Sequence, residues 1–127
     1  MYNNNAYNTY KNNSVNFASK EQLLLIILDG AVKFSKIGRQ AILDKDIKSA
    51  HENIIKTQNI FYELMVSLDL TQSGDWGLNV ISIYKFIIDK LVEANLKKDI
   101  DIMDEIIPLI EEVRDMWNEV YKSAKSN

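Results

Sequence analysis

Between residues 20 and 122, apolar side chains recur at alternating spacings of three and four. They form four stretches of about twenty residues, parted by short polar links. This spacing gathers them along one side of an α-helix; a half-buried strand would alternate every second residue. Four Gly and one Pro in 127 residues leave too few turn formers for a β-protein. The length fits one domain of roughly 100–200 residues. Four helices joined by short links fold most simply as an antiparallel all-α four-helix bundle.

Local signals set the helix ends. Ser19-Lys20-Glu21-Gln22 reads as a capping box opening a helix over 20–43. Gly38 lies inside it, at about 1 kcal/mol relative to Ala. Asp46 is a good N-cap for a second helix over 47–69, with Ile47, His51, Ile54, Gln58, Phe61, Met65 and Leu68 on one inward face. Residues 70–74 read as a break, after which Asp75 caps a third helix over 76–96. Its inner stripe is Ile81, Tyr84, Ile88, Leu91 and Asn95. The fourth helix, 100–122, carries Met103, Ile106, Ile110, Val113, Trp117 and Val120. Pro108 predicts a kink near Asp104 or a break there. Residues 123–127 read as a frayed end, and 18–122 as the bundle. Residues 1–17 form an Asn-rich leading arm bearing Tyr2, Tyr7 and Tyr10, either a flexible tail or a segment whose tyrosines cap a groove. A short extra helix there is an option.

Composition removes whole classes of function. There is no cysteine, so disulfides, zinc–thiolate sites and thiol nucleophiles are out. The net charge of −3 argues against nucleic acid as a partner. The longest apolar run is the six residues 23–28, against about 20 needed to cross a bilayer, so no stable membrane insertion is expected. The opening residues lack the basic and apolar regions of a signal peptide, which points to the cytoplasm. A di-iron carboxylate site needs two Glu-x-x-His pairs, and the chain has one histidine, His51. A haem held by His51 and Met65 or Met103 has no spacing that selects it. His51 therefore reads as a core histidine, with no metal or other cofactor expected. Glu111-Glu112 point about 100° apart on a helix and read as a solvated face. Neither a phosphate loop nor a nucleophile elbow is present, so no enzyme is expected. The enzyme-like alternative is a histidine-phosphotransfer domain using His51. Such domains resemble His-x-x-Lys-Gly, whereas Ile54 and Ile55 stand at those positions here.

The helices carry more apolar surface than one stripe each. Helix two has a second line in Ile55, Tyr62 and Val66; helix three has Trp76, Val80, Ile83 and Ile87; helix one is apolar nearly all round over 23–28. Either each helix touches two neighbours and hides a wider stripe, or a groove is left for a partner. The coincidence on three helices favours a partner surface. The groove and arm residues are then Tyr7, Tyr10, Leu24, Leu28, Ile55, Tyr62, Val80, Ile83 and Ile87. On this reading a charge at Ile83 or Ile87 abolishes binding and leaves helicity intact. A regulatory bundle binding some other amphipathic segment is the competing class.

Several fragments resemble one family in order and spacing. They are Asn13-Ser14-Val15, Ala18-Ser19, Glu21-Gln22-Leu23-Leu24-Leu25 and Leu28-Asp29-Gly30-Ala31. Gln58-Asn59-Ile60, Glu63-Leu64, Ser67-Leu68-Asp69, Leu91-Val92-Glu93-Ala94-Asn95, Arg114-Asp115 and Trp117 follow. Together they resemble the flagellin-specific export chaperones, the FliS family, over about residues 7–121. Lys20, where the family usually has proline, and Trp76-Gly77 depart from the pattern. The resemblance implies a bacterial cytoplasmic bundle that binds the disordered C-terminal segment of flagellin. It implies that this blocks premature polymerisation and aids flagellar export, with the N-terminal arm covering part of the groove. Other flagellar regulators or export components are possible further partners.

Overall fold

In a computed structural model, residues 19–126 are described. They form four helices: α1 Lys20–Leu43, α2 Ile47–Ser67, α3 Leu70–Lys97 and α4 Ile100–Ser126. The expected arm contacts of Tyr7 and Tyr10, and any helix before Ser19, lie outside the described residues. α1 packs on α2 and α4, and α3 packs on α2 and α4; the backbones of neither diagonal pair approach closely. The result is the expected antiparallel bundle, a ring of four in which each helix has two neighbours.

Side chains at the helix ends explain where the helices begin. The Ser19 hydroxyl accepts from the Gln22 N–H at 3.2 Å, and the Gln22 side chain accepts from the Ser19 N–H at 3.0 Å. Each satisfies a backbone donor that the first helical turn leaves without a partner. Asp46 caps α2 by accepting from the Ser49 N–H at 3.1 Å. Lys45 and Lys98, in the links after α1 and α3, adopt left-handed backbone (φ 59° and 49°). Asp99 accepts from the Asp101 N–H at 2.9 Å as α4 begins.

Three boundaries differ from expectation. α3 opens earlier than expected, at Leu70, where Asp69 accepts from the Thr71 N–H at 2.9 Å and caps a short first piece; the longer helix follows the kink at Gly74, close to the expected start at 76. The Thr71 hydroxyl also donates to Asp69, and these bonds hold its carboxyl below the usual range. The anticipated break is centred on Gly74, at φ 57°, ψ −132°, a conformation that a Cβ disfavours, which parts the two helical pieces. α4 runs through Pro108 without a break and on to Ser126. Pro108 is on the exposed side, where water can serve the Asp104 carbonyl that the ring deprives of its helical donor. α2 ends at Ser67, two residues earlier than the periodicity suggested.

The core is a continuous apolar cluster drawn from all four helices. Tyr84 sits near its centre. Its ring meets Phe61 of α2 edge-on at 5.6 Å, and its hydroxyl oxygen accepts from Trp117 Nε1 of α4 at 2.8 Å. Trp117 in turn meets Trp76 edge-on at 5.3 Å. Three enclosed polar side chains turn back on their own helices. Ser35 donates to the Val32 carbonyl, Asn53 to that of Ser49 and Thr57 to that of Asn53. No described helix is long and apolar enough to cross a membrane.

Gly38 has a packing reason. A Cβ built there would lie 3.1 Å from Ile54 Cγ1 across the α1–α2 contact, closer than such atoms normally come. Gly38→Leu should therefore lower unfolding free energy by about 1–3 kcal/mol, the usual range for overpacking, read by urea denaturation. Burial pushes the Tyr84 hydroxyl up to about 12, and the Trp117 hydrogen bond opposes this only in part. Unfolding returns the group to its ordinary value of 10.0. Its contribution is intact below pH 10 and is lost as pH rises towards 12, at most about 2–3 kcal/mol. Denaturation midpoints should fall over that window, and Tyr84→Phe should flatten the fall.

Candidate functional site

The four outer seams between neighbouring helices differ in chemistry. α1 and α4 are bridged by Lys36–Glu111 at 3.3 Å, by Arg39–Asp104 and by Arg114–Asp29 at 3.9 Å. Their mutual hydrogen bond raises the Arg39 guanidinium and lowers the Asp104 carboxyl from their ordinary values. This pair lines a notch of about 390 Å³ shared with Lys36, Gln40, Ile107 and Pro108. α3 and α4 are bridged by Lys90–Glu105 at 3.9 Å. Between α1 and α2, the Lys56 ammonium lies 5.1 Å from the centre of the Phe34 ring. Among the described residues, every ion pair between helices involves α4.

The α2–α3 seam is of another kind. At one end Asn95 Nδ2 lies 3.0 Å from His51 Nδ1, and Lys98 donates to Asn95 Oδ1 at 2.7 Å. That contact fixes which sides of α2 and α3 face one another. From His51, Ile55, Gln58, Tyr62 and Met65 follow at steps of four, three, four and three, so all share its side. From Asn95, Val92, Ile88, Lys85, Ile81 and Leu78 follow in the same way on α3. Tyr62 is 49% exposed, and Leu78 and Val92 are exposed as well. Ile55, Met65 and Ile81 are half-buried, and Ile88 is buried beneath them. Leu96 (81% exposed) and Val66 (86%) stand beside the two stripes. From His51 to Met65 the strip runs about 21 Å at 1.5 Å per residue. It is a largely apolar strip, with His51 and Asn95 at one end and Gln58 and Lys85 in its middle.

The nominated residues divide accordingly. Ile55 and Tyr62 come together on this seam. Ile83 is half-buried, on the side of α3 that carries Trp76 and faces α4; Leu24 is half-buried on α1. Leu28, Val80 and Ile87 are enclosed in the core, so the structure corrects their placement as surface anchors. Each α3 side chain of that line meets one of two neighbours, which is why a second stripe there is mostly core. A charge at Ile87 would thus strike the fold itself.

His51 is also corrected. It is exposed and bonded to Asn95, and Ile47 is exposed with it. The buried arc of α2 is centred instead on Ala50, Asn53, Ile54, Thr57, Phe61 and Leu64. Among the described residues, no three His, Asp or Glu side chains gather to hold a metal. Leu78, Ile81 and Val92 were missed as surface-strip residues. Their signal is a run at three-four spacing with Lys85 in phase.

The chain matches the family model described as "Flagellar protein FliS" over residues 3–124. It is 32% identical over 123 residues to the flagellar secretion chaperone FliS of Bacillus subtilis (strain 168), covering 97% of this chain and 91% of that one. The flagellar secretion chaperone FliS of Campylobacter jejuni is 29% identical, over 97% of this chain and 96% of its own. That of Escherichia coli (strain K12) is 27% identical over 80% of this chain and 76% of its own. The four-helix ring, its open apolar seam and these matches agree: the chain belongs to the FliS family of flagellar export chaperones.

Proposed function

We propose that this protein binds the disordered C-terminal segment of flagellin in the cytoplasm, lays it along the α2–α3 seam and so keeps it from polymerising before export. The observation that carries the reading is the apolar strip of exposed Tyr62 and Val92 with half-buried Ile55, Met65 and Ile81, on a seam that no ion pair bridges among the described residues. An apolar surface of this extent rimmed by polar groups is what a docking segment fills. Leu24 and Ile83 extend the contact beyond the seam on opposite flanks, as befits a client that wraps instead of plugging a pocket. A segment that folds as it binds loses about 2–5 kcal/mol of its gross interaction to ordering. Hold and release then become compatible. The phosphotransfer alternative has the exposure it needs at His51, yet Ile54 and Ile55 still occupy the positions of the lysine and glycine.

In the same proposal the arm carrying Tyr7 and Tyr10 competes for the seam, so the apparent affinity falls by the fraction of closed molecules. Deleting residues 1–16 should tighten or speed client binding; weaker binding would make the arm a contact element.

Calorimetric titration with a peptide of the flagellin C-terminus tests the main reading. Wild-type protein should bind it. Tyr62→Asp should weaken binding at least about tenfold, more than 1.4 kcal/mol, with the helical circular dichroism unchanged, because Tyr62 is half exposed. Ile87→Asp should instead lose helicity, because an unpaired charge cannot be accommodated there. Undiminished binding by Tyr62→Asp would remove the seam from the client site.

A further inference from the structure

The outer side of the α3–α4 contact carries a second apolar strip, on the other side of α3 from the α2–α3 seam. The Lys90–Glu105 pair at 3.9 Å and the Trp76–Trp117 edge contact at 5.3 Å fix which sides of these helices meet. From Lys90, Phe86, Ile83, Asn79 and Trp76 follow at steps of four, three, four and three. From Glu105, Leu109, Glu112 and Met116 follow at steps of four, three and four. Trp76 (42%) and Phe86 (45%) are exposed, and Ile83, Leu109 and Met116 are half-buried. The cation on these stripes, Lys90, is held by Glu105 and lies 5.7 Å from the centre of the Phe86 ring. The anions around the strip are not so held. Glu112, Asp89 three residues after Phe86, and Asp75 beside Trp76 are exposed and form no ion pair among the described residues.

An occupant of this face must cover the aromatic line and answer three free anions. Apart from Asn79, the strip's floor offers no polar group to a covering backbone. A segment laid there must satisfy its own N–H and C=O groups, as a helix does internally. The line from Trp76 to Phe86 runs about 15 Å at 1.5 Å per residue, close to three helical turns. A second copy of this chain would set acids against acids, and the leading arm brings one cation, Lys11. We infer that the outer α3–α4 face docks a cationic amphipathic helix of a second protein. Its apolar side lies on Trp76, Phe86 and Met116, and its Lys or Arg side chains meet Asp75, Asp89 and Glu112. Apolar anchors supply the attraction, and the anionic rim selects the partner by charge. This site goes beyond the client reading and stands without it. Ile83, where the client's flank ends, lies in its floor, so the two occupants abut at that residue.

Trp76 and Trp117 are the chain's two tryptophans and touch each other at this face, so their emission reports on it directly. The probe is a tryptophan-free designed helix of about 18 residues, about five turns, with Leu along one side and Lys on the rest. Its controls are a scrambled peptide of the same composition and a version with Glu in place of Lys. Titrated into full-length protein, the Lys helix should shift the tryptophan emission and bind at least about tenfold more tightly than either control. Phe86→Ala should weaken it at least about fivefold with the helical circular dichroism unchanged. Asp89→Lys with Glu112→Lys should turn the preference toward the Glu helix. Tyr62→Asp, which strikes the other seam, should leave the titration as it is, whatever it does to the client. Absence of binding, equal binding of the scrambled peptide, or an unaltered titration in Phe86→Ala would overturn the inference and leave the α2–α3 reading standing. Tryptophan emission that moves on deleting residues 1–16, or on dilution, with no peptide present would make the arm or a second copy the occupant and overturn it as well.

Discussion

A helix in a ring of four packs its backbone closely against two neighbours and not against the helix across the diagonal. Its buried arc must therefore be wider than a single stripe, and apolar groups outside that arc have nowhere to go but the surface. α4 handles its margins with charge, through Lys36–Glu111, Arg39–Asp104 and Arg114–Asp29 on one flank and Lys90–Glu105 on the other. Each of these exposed pairs contributes little to stability, typically about 0–1 kcal/mol. What they do is occupy the rims with groups that are already partnered. α2 and α3 meet without such a rim, and Tyr62, Leu78 and Val92 lie open there.

Tyr84 makes this asymmetry tolerable. It joins α2, α3 and α4 through Phe61 and Trp117, and Trp76 extends the aromatic series outward. The outermost side chains of the strip, Tyr62, Leu78 and Val92, lie outside the core cluster and can change partners while the helices stay in place.

How far the chain could be read beforehand depended on the range of the interaction. Caps are settled within four residues, and those at Ser19 and Asp46 were legible for that reason. The division between core and surface was not, because neighbouring residues on a helix point about 100° apart and two neighbours widen the buried arc. Val80 and Ile87 looked surplus on a one-stripe view and are core. His51 and Ile47 looked inward because they continued the spacing of Ile54 and Phe61, yet the bundle turns the end of α2 the other way. Asn53 and Thr57 hide their polarity in carbonyls of their own helix, which an apolar-or-polar reading cannot register. Pro108 predicted a kink or a break, and the break does not occur, because proline disrupts a helix through one carbonyl and one donor, and on an exposed face water can replace what is lost.

An apolar strip alone discriminates poorly, since any greasy segment of suitable length would satisfy it, including a second copy of the strip. Polar groups set among apolar ones supply what shape cannot, because leaving them unpaired penalises the wrong occupant. On the α2–α3 seam the His51–Asn95–Lys98 series stands at one end, is bonded within the protein and makes no demand on a partner. Discrimination on the proposed client site then falls to the spacing of the apolar groups themselves, Ile55, Tyr62 and Met65 on α2 against Ile81 and Val92 on α3, which an occupant must match along its length.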